Sequence, residues 1–471
     1  MTQLLLKIRN WPNSLKIILA ALLSILIGGV LLSLPVSHQS GQEGSVFDHF
    51  FTSASLVSIN SMTTLAFSDT YSYFGKTVAI LLMQVGGLGL MTFLAMVTLL
   101  MNQRMSHTQK DLLSDVLNRY RITNMKDYLK QVFKYTLIIQ LVGLVLLSFR
   151  FIPEYGWIEG LFHSLFLSVS SFTNAGFVSF STQSVISLAS DPYSLTIMMA
   201  LIIMGGLGHI VWFDIRAKGR FFVRNYRKMG FRRLYNRLEV TTKMILNTTL
   251  ILLIVGLLFV LVTEWTNPDT LGQYSGPYRI YLSLFQSVTV RTAGFSVIEF
   301  NAFSKGTKLI LLTLAMIGTA PGSTGGGVKV TTFAVIILSF ISEVKGQESV
   351  AFSKRDIHIK TVKQAMIIFI GLFVLLFSGI QVLLWTESAD FTTIAIQATS
   401  AVSTVGITST ELADFFDNRS AGDCRTVHSW TSRPAVRIHG THWTTETETG
   451  KNLSDDRYYA WLSMEQTMTC I

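Results

Sequence analysis

Seven apolar stretches recur along the chain, each near or above the roughly 20 residues that a helix needs to cross hydrocarbon. They run over Leu15–Leu34, Gly75–Met101, Tyr128–Phe149, Tyr193–Ile215, Met244–Val262, Lys308–Ile341 and Gln364–Trp385. The sixth is interrupted by Gly318-Thr319-Ala320-Pro321-Gly322-Ser323-Thr324-Gly325-Gly326-Gly327. Pro and clustered Gly break the helical hydrogen-bond ladder, so an irregular loop is predicted inside this span. Shorter segments lie between spans one and two, three and four, five and six, and after span seven. They are Phe47–Val57, Ile158–Ser171, Arg279–Val288 and Phe391–Ala401, moderately apolar and rich in Ser, Thr and Phe. None is long enough to cross, which predicts re-entrant or interfacial helices.

The order span, short segment, span is thus repeated. The repeats fall at 10–101, 128–216, 244–342 and an incomplete 364–411. Loops at 102–127, 217–243 and 343–363 separate them, and an atypical polar tail fills 412–471. After each short segment comes a comparable stretch: Val57-Ser58-Ile59-Asn60-Ser61-Met62, Phe172-Thr173-Asn174-Ala175-Gly176-Phe177, Val290-Arg291-Thr292-Ala293-Gly294-Phe295 and Val402-Ser403-Thr404-Val405-Gly406-Ile407. A dehydrated cation must be held by oxygens, and backbone carbonyls supply them when a short irregular stretch points them at one axis. Irregular backbone at membrane depth survives only where it lines a watery path. The short helix before each stretch would aim its partly negative C-terminal end at that axis. The expected fold is an all-α membrane protein of four membrane–pore-loop–membrane repeats, arranged with pseudo-fourfold symmetry around one central pore.

Composition agrees. Charged residues are only 14% and mean hydropathy is +0.45, against about 25% charged in soluble domains. The net charge of +10 is a matter of topology. The N-terminus to Lys16, Asn102–Asp127, Arg216–Lys243 and Glu343–Lys363 hold three, five, ten and five Lys or Arg. The alternate loops, Pro35–Lys76, Arg150–Pro192, Glu264–Lys308 and Thr386–Glu411, hold one, one, four and none. The positive-inside rule then puts the N-terminus and basic loops in the cytoplasm of a multi-pass plasma-membrane protein, with lipid rather than nucleic acid as partner. Leu15–Leu34 is too long for a signal-peptide core and reads as a retained anchor. Cys424 and Cys470 build neither a disulfide framework nor a metal site, and the His spacings match no metal motif. No nucleophile, acid–base or metal set falls within a span, so no enzyme is expected. The alternative is a secondary transporter of an organic solute, which predicts two half-repeats rather than four equal units.

Thr-Asn-Ala-Gly-Phe at 173–177, Arg-Thr-Ala-Gly-Phe at 291–295, Ala320–Lys329 and Gly-Gly-Leu-Gly at 86–89 and 205–208 resemble the Trk/Ktr/HKT superfamily of potassium transporters, most closely the bacterial Ktr membrane subunit. The resemblance covers roughly residues 10–412. It implies an uptake system for K⁺, with Na⁺ as a possible second ion, whose filter is Ile59, Asn60, Ser61; Thr173, Asn174, Ala175, Gly176; Val290, Arg291, Thr292, Ala293, Gly294; and Ser403, Thr404, Val405, Gly406. It implies a gating loop of Gly318, Pro321, Gly322, Ser323, Thr324, Gly325, Gly326, Gly327 and Lys329. It also implies a homodimer, a cytosolic ring of nucleotide-binding regulatory subunits, and no cofactor on this chain beyond the transported ion.

The chain departs from the family pattern twice. Ser61 stands where the first filter glycine is expected, and in the plant HKT branch Ser there accompanies sodium permeation. Either K⁺ preference is weaker, or one Ser is tolerated. After Thr410 the closing apolar span is missing or replaced. A shift of reading frame between 415 and 425 would account for the tail; a natural truncation is the other account, and either could leave an inactive product. Arg291 either braces the filter or snorkels outward, and Lys329 repels cations, locks the gate or simply flanks the span on the cytoplasmic side. Gly86, Gly87, Gly89, Gly205, Gly206 and Gly208 either shape an inner vestibule or allow close helix packing. His209 reads as a core His, and Asp214 as a local ion pair with Arg216.

Overall fold

The computed structural model describes residues 13–41, 44–89, 125–180, 188–224, 231–347, 349–353, 355–387 and 389–407. The tail at 412–471, most of the loop at 102–127 and the predicted span's end at 90–101 lie outside them. The stretch expected to be the first repeat contains α1 (Asn13–Leu32), α2 (Val46–Ser58) and α3 (Tyr73–Gly87). The second contains α4 (Met125–Tyr155), α5 (Trp157–Thr173), α6 (Pro192–Gly206) and α7 (His209–Arg224). A short α8 (Phe231–Arg237) leads to the third, with α9 (Val240–Glu264), α10 (Gly276–Thr289), α11 (Lys305–Met316) and α12 (Val330–Val344). The last described helices are α13 (Ile359–Thr386) and α14 (Phe391–Ser403).

The short helices α2, α5, α10 and α14 are exposed at their starts and buried toward their C-terminal ends. α4, α9 and α13 are each long and apolar enough to cross a membrane. Their large side chains face outward: Leu141, Val142 and Val145 on α4, Leu250, Ile251 and Ile254 on α9, and Ile367, Ile370 and Val374 on α13 are all exposed. In water each such side chain would forgo about 1.5–3 kcal/mol of burial; hydrocarbon covers them. The interior is instead rich in hydroxyls: Ser53, Ser168, Ser170, Ser287, Thr289, Ser400 and Ser403 are all buried.

Three of the inner helices are seated in the same way. The hydroxyls of Ser53, Ser168 and Ser287 donate to the carbonyls of Ile25, Gln140 and Leu253, at 2.8, 2.7 and 2.9 Å. Beside each acceptor runs a glycine, Gly28, Gly143 or Gly256, whose missing side chain leaves space for that hydroxyl. A Cβ there would run into the Ser Oγ, so the backbone groove of the long helix is what receives the short one. In the last repeat Ala398 precedes the left-handed Thr404 by six residues, as Ser53 and Ser168 precede Ile59 and Asn174, and offers no hydroxyl.

Two expectations need correction. The fourth span is not one helix. α6 and α7 are bent by 94° at Leu207-Gly208. Gly208 has φ +78°, and the carbonyls of Pro321 and Gly322 lie 3.0 and 3.1 Å from where its Cβ would be. The Gly-rich loop between α11 and α12 fills the elbow. Ala320 N donates to Gly206 O at 3.0 Å and His209 N to Gly322 O at 3.2 Å, in place of helical bonds. The fold is all-α as expected, apart from a short antiparallel hairpin of β1 (Val350–Phe352) and β2 (Arg355–Ile357). Finally, buried Asp214 pairs with Lys218 at 3.2 Å and accepts from Glu239 N at 2.8 Å, whereas Arg216 stacks over the Tyr135 ring.

Glu264, fully buried at the end of α9, ties down the chain that follows it. Its carboxylate accepts from Asn267 Nδ2 at 2.6 Å, Thr270 Oγ1 at 2.8 Å, Ser304 N at 3.0 Å and Thr307 Oγ1. Glu264→Ala would strand those donors, each worth about 1–3 kcal/mol when buried without an acceptor. The expected result is a drop in melting temperature of the detergent-solubilised protein, with Glu264→Gln falling between. Fluorescence-detected thermal unfolding measures it; an unchanged melting point for the Ala variant would refute the role.

Candidate functional site

The inner helices end at one place and in one manner. The residue after α2, α5 and α14 is left-handed: Ile59 (φ 56°), Asn174 (φ 59°) and Thr404 (φ 53°). The next amide turns back to the helix, with Asn60 N to Ser55 O at 2.9 Å, Ala175 N to Ser170 O at 2.9 Å and Val405 N to Ser400 O at 3.0 Å. These are Schellman-type terminations. In the third repeat the turn comes later, with Thr292 at φ 73° and Gly294 N bonded to Thr289 O at 3.1 Å. A hydroxyl in the last turn also reaches across. Ser170 Oγ donates to Phe177 O at 2.6 Å, Thr289 Oγ1 to Phe295 O at 2.8 Å, and Met62 N donates to Ser55 Oγ at 2.9 Å.

Two residues beyond each left-handed residue φ is positive again, at Ser61 (58°), Gly176 (68°), Gly294 (71°) and Gly406 (79°). Between them Asn60, Ala175, Ala293 and Val405 are not left-handed. An ordinary extended chain points successive carbonyls to opposite sides. Alternating the hand of the backbone can bring them to one side, which the left-handed residue makes possible.

The four stretches meet in cyclic order. Ser61 Oγ donates to Ala175 O at 2.5 Å. A Cβ on Gly176 would lie 2.5 Å from Ala293 O. A Cβ on Gly294 would abut Val405 O, and one on Gly406 would abut Asn60 O. So each third residue stands against the middle carbonyl of the next stretch, and the fourth closes on the first. The Ser61 side chain occupies the junction: its Oγ is next to the Cβ position of Gly176 and 3.0 Å from that of Gly294, and its Cβ is against that of Gly406.

The Gly-rich segment between α11 and α12 packs directly against this ring. Its arms are joined by a parallel bridge between Ile317 and Val328, with Gly318 N to Val328 O at 2.9 Å. Its tip meets the ring through Gly325 at Thr292 Oγ1 and Gly326 at Thr404 Oγ1, where a Cβ on either glycine would collide. Thr324 Oγ1 donates to Phe172 O at 3.2 Å, and Thr319 Oγ1 to Gly325 O at 2.8 Å. Lys329 Nζ closes the loop on itself by donating to Gly325 O at 2.6 Å. Pro321 and Gly322 lie in the α6–α7 elbow, and Ser323 Oγ donates to Thr319 Oγ1 at 2.7 Å. Gly86 and Gly205 abut the carbonyls of Val57 and Phe172, so these glycines let α3 and α6 touch the ends of α2 and α5.

The remaining sequence-derived positions distribute as follows. Arg291 is buried, not snorkelled, and its Nη2 donates to Gly318 O at 3.0 Å. Val290 and Ser403 are buried, and Thr173 packs against Gly87. His209 is buried in the wall beside the loop. Hydrogen bonds from the Thr392 hydroxyl and amide hold the exposed Asp390 carboxyl, at the start of α14, below its ordinary range. Glu264, the Ser53–Ser168–Ser287 series and the α6–α7 elbow were not singled out from the sequence. The Gly-to-Ser interval is the same from Gly28 to Ser53 as from Gly143 to Ser168, a regularity that could have disclosed the helix seats.

A family model described as TrkH, cation transport protein, matches residues 17–419. Ktr system potassium uptake protein B of Bacillus subtilis is 34% identical over 386 residues, covering 82% of this chain and 83% of the relative. Potassium/sodium uptake protein NtpJ of Enterococcus hirae is 32% identical over 413 residues, covering 87% of this chain and 88% of the relative. Among solved structures, that of the potassium transporter TrkH from Vibrio parahaemolyticus is similar with a TM-score of 0.61 at 18% identity, covering 82% of this chain and 76% of that one.

Proposed function

We propose, from the premise that this chain belongs to the TrkH family of cation transport proteins, that it is the ion-translocating membrane subunit of a K⁺ uptake system that also admits Na⁺. The observation that carries this reading is the cyclic abutment of Asn60, Ala175, Ala293 and Val405 carbonyls by the third residues of neighbouring stretches. A four-membered ring of main-chain oxygens at the C-terminal ends of four helices suits a monovalent cation stripped of water. The names of the B. subtilis and E. hirae relatives supply the ions, potassium in one and potassium with sodium in the other.

In this mechanism the cation sheds its hydration shell at the ring of 59–61, 174–176, 292–294 and 404–406, passes the Gly318–Lys329 segment when that segment moves aside, and rehydrates on the cytoplasmic side. The loop's packing against Thr292 and Thr404 supports a gating role. A negative interior contributes about 2.3 kcal/mol per charge per 100 mV to inward movement. The excess of Lys and Arg in alternate loops supports a cytoplasmic N-terminus in the plasma membrane. Homodimerisation and a cytosolic nucleotide-binding regulatory ring, which would bring the nucleotide, complete the proposal.

Complementation tests it. Expression in a bacterium lacking its own K⁺ uptake should restore growth at low K⁺, with internal K⁺ rising on transfer and added Na⁺ lowering the rate. A membrane-inserted chain that leaves growth and internal K⁺ unchanged would overturn the reading.

A further inference from the structure

Resting on that reading, we propose that Arg291 is a positioning residue, a strut that fastens the third stretch of the ring to the neck of the intramembrane loop, so that ion coordination and loop position move together. Arg291 is 6% exposed, and its Nη2 donates to Gly318 O at 3.0 Å. At Gly318 the two arms of the loop touch: its amide donates to Val328 O at 2.9 Å, and a Cβ on it would strike Gly326 O. A bond to Gly318 therefore holds both arms. One residue on, Thr292 meets the loop's tip at Gly325, and Ala293 and Gly294 enter the ring. The third stretch thus grips the loop at both ends while supplying a quarter of the ring.

A small cavity lies beside the guanidinium; Asn174, Thr249, Thr319 and Arg291 form its polar side, and aliphatic side chains such as Ile202 and Leu253 form the rest. Arg291 Nε and Asn174 Oδ1 are both buried there without a partner. The second stretch is tied to the third beside this group, since Asn174 Nδ2 donates to Thr292 Oγ1 at 3.3 Å. Among the described residues no carboxylate forms an ion pair with Arg291. An intramembrane charge held by carbonyls alone is costly, which marks it as functional. Coupling of this kind is reciprocal: whatever the ion does to the loop, the loop does to the ion.

The test is K⁺ and Na⁺ uptake into proteoliposomes holding the full chain, for wild type, R291Q and R291K. R291Q removes the charge, and R291K keeps it with a single-point donor. Loss of the strut should free the loop and loosen the ring: R291Q is expected to raise unstimulated uptake and lower the K⁺/Na⁺ ratio, each about fivefold, with R291K between. A role in packing alone would lower the melting temperature and leave the ratio where it was. If R291Q does not insert, R291K decides, and a ratio within about twofold of wild type overturns the strut. A wild type that moves no cation sinks the proposed function instead, whereas a transporting wild type matched by both variants sinks only this inference.

Discussion

Gly294→Ala is expected to abolish cation uptake while leaving the protein in the membrane. Gly294 has φ +71°, a conformation that costs an L-residue with a Cβ about 1–2 kcal/mol. The larger effect is steric. The new methyl would be driven into Val405 O and lie 3.0 Å from Ser61 Oγ. Neither is the free end of a long side chain; Val405 O is a ring oxygen fixed by the Val405 N to Ser400 O bond at 3.0 Å. It can yield only by turning out of the ring. A loss of uptake of tenfold or more follows if that removes even about 1.4 kcal/mol of ion stabilisation. Gly306→Ala is the control, since nothing lies within 4 Å of its Cβ position and its φ is negative. Uptake by the two variants at equal membrane abundance settles it: a Gly294→Ala protein that transports like wild type would remove the ring from the mechanism.

The outer architecture was readable because lipid imposes a simple rule. A chain that crosses hydrocarbon must satisfy its own backbone and cover it with apolar side chains. The first, third, fifth and seventh apolar runs are accordingly α1, α4, α9 and α13. The four shorter segments are α2, α5, α10 and α14, readable because they combine insufficient length with hydroxyl-rich composition. What hydropathy could not disclose is a break that leaves hydropathy unchanged. Gly205-Gly206-Leu207-Gly208 is apolar by composition, so Tyr193–Ile215 reads as one span. The turn at Gly208 depends on carbonyls more than a hundred residues away, at Pro321 and Gly322. The Gly318–Gly327 break was legible because Pro321 and clustered glycines destroy the helix locally, without tertiary help.

The stretches at 59–61, 174–176, 292–294 and 404–406 could be aligned from their small residues, but sequence spacing carries no cyclic order. That order emerges from which carbonyl each third residue meets. Arg291 shows the same limit. A charge within a predicted pore segment announces a partner; that the partner is Gly318 O, a backbone atom 27 residues on, has no signature in side-chain chemistry. Glu264 is silent in the sequence because a lone carboxylate at the end of an apolar run has the pattern of an interfacial residue. Its four donors come from a loop and from α11, whose return to α9 is a tertiary fact.

Ser61→Gly is expected to raise the K⁺/Na⁺ uptake ratio about fivefold. Three of the four equivalent positions are glycine, and Ser61 adopts the same left-handed backbone, φ 58°, against the preference of its Cβ. Its hydroxyl donates to Ala175 O, so one of the four middle carbonyls is already engaged by a protein proton. An ion seeking all four must compete with that bond. The hydroxyl also stands at the junction of the four stretches, close to the Cβ positions of Gly176 and Gly294. Both effects disfavour a wide, fully carbonyl-coordinated cation relative to a smaller one that retains water or accepts the hydroxyl oxygen as a ligand. A net worth of about 1 kcal/mol for the hydrogen bond gives the fivefold figure. Glycine would free Ala175 O, restore four alike positions and relieve the backbone. Ser61→Ala separates the causes. It keeps the Cβ and its crowding but loses the donor, so a ratio that rises in Ala as in Gly assigns the effect to the hydrogen bond, and one that rises in Gly alone assigns it to the Cβ. Competitive uptake of K⁺ and Na⁺ measures the ratio, and a ratio unchanged in Ser61→Gly would show that the other three stretches set ion preference by themselves.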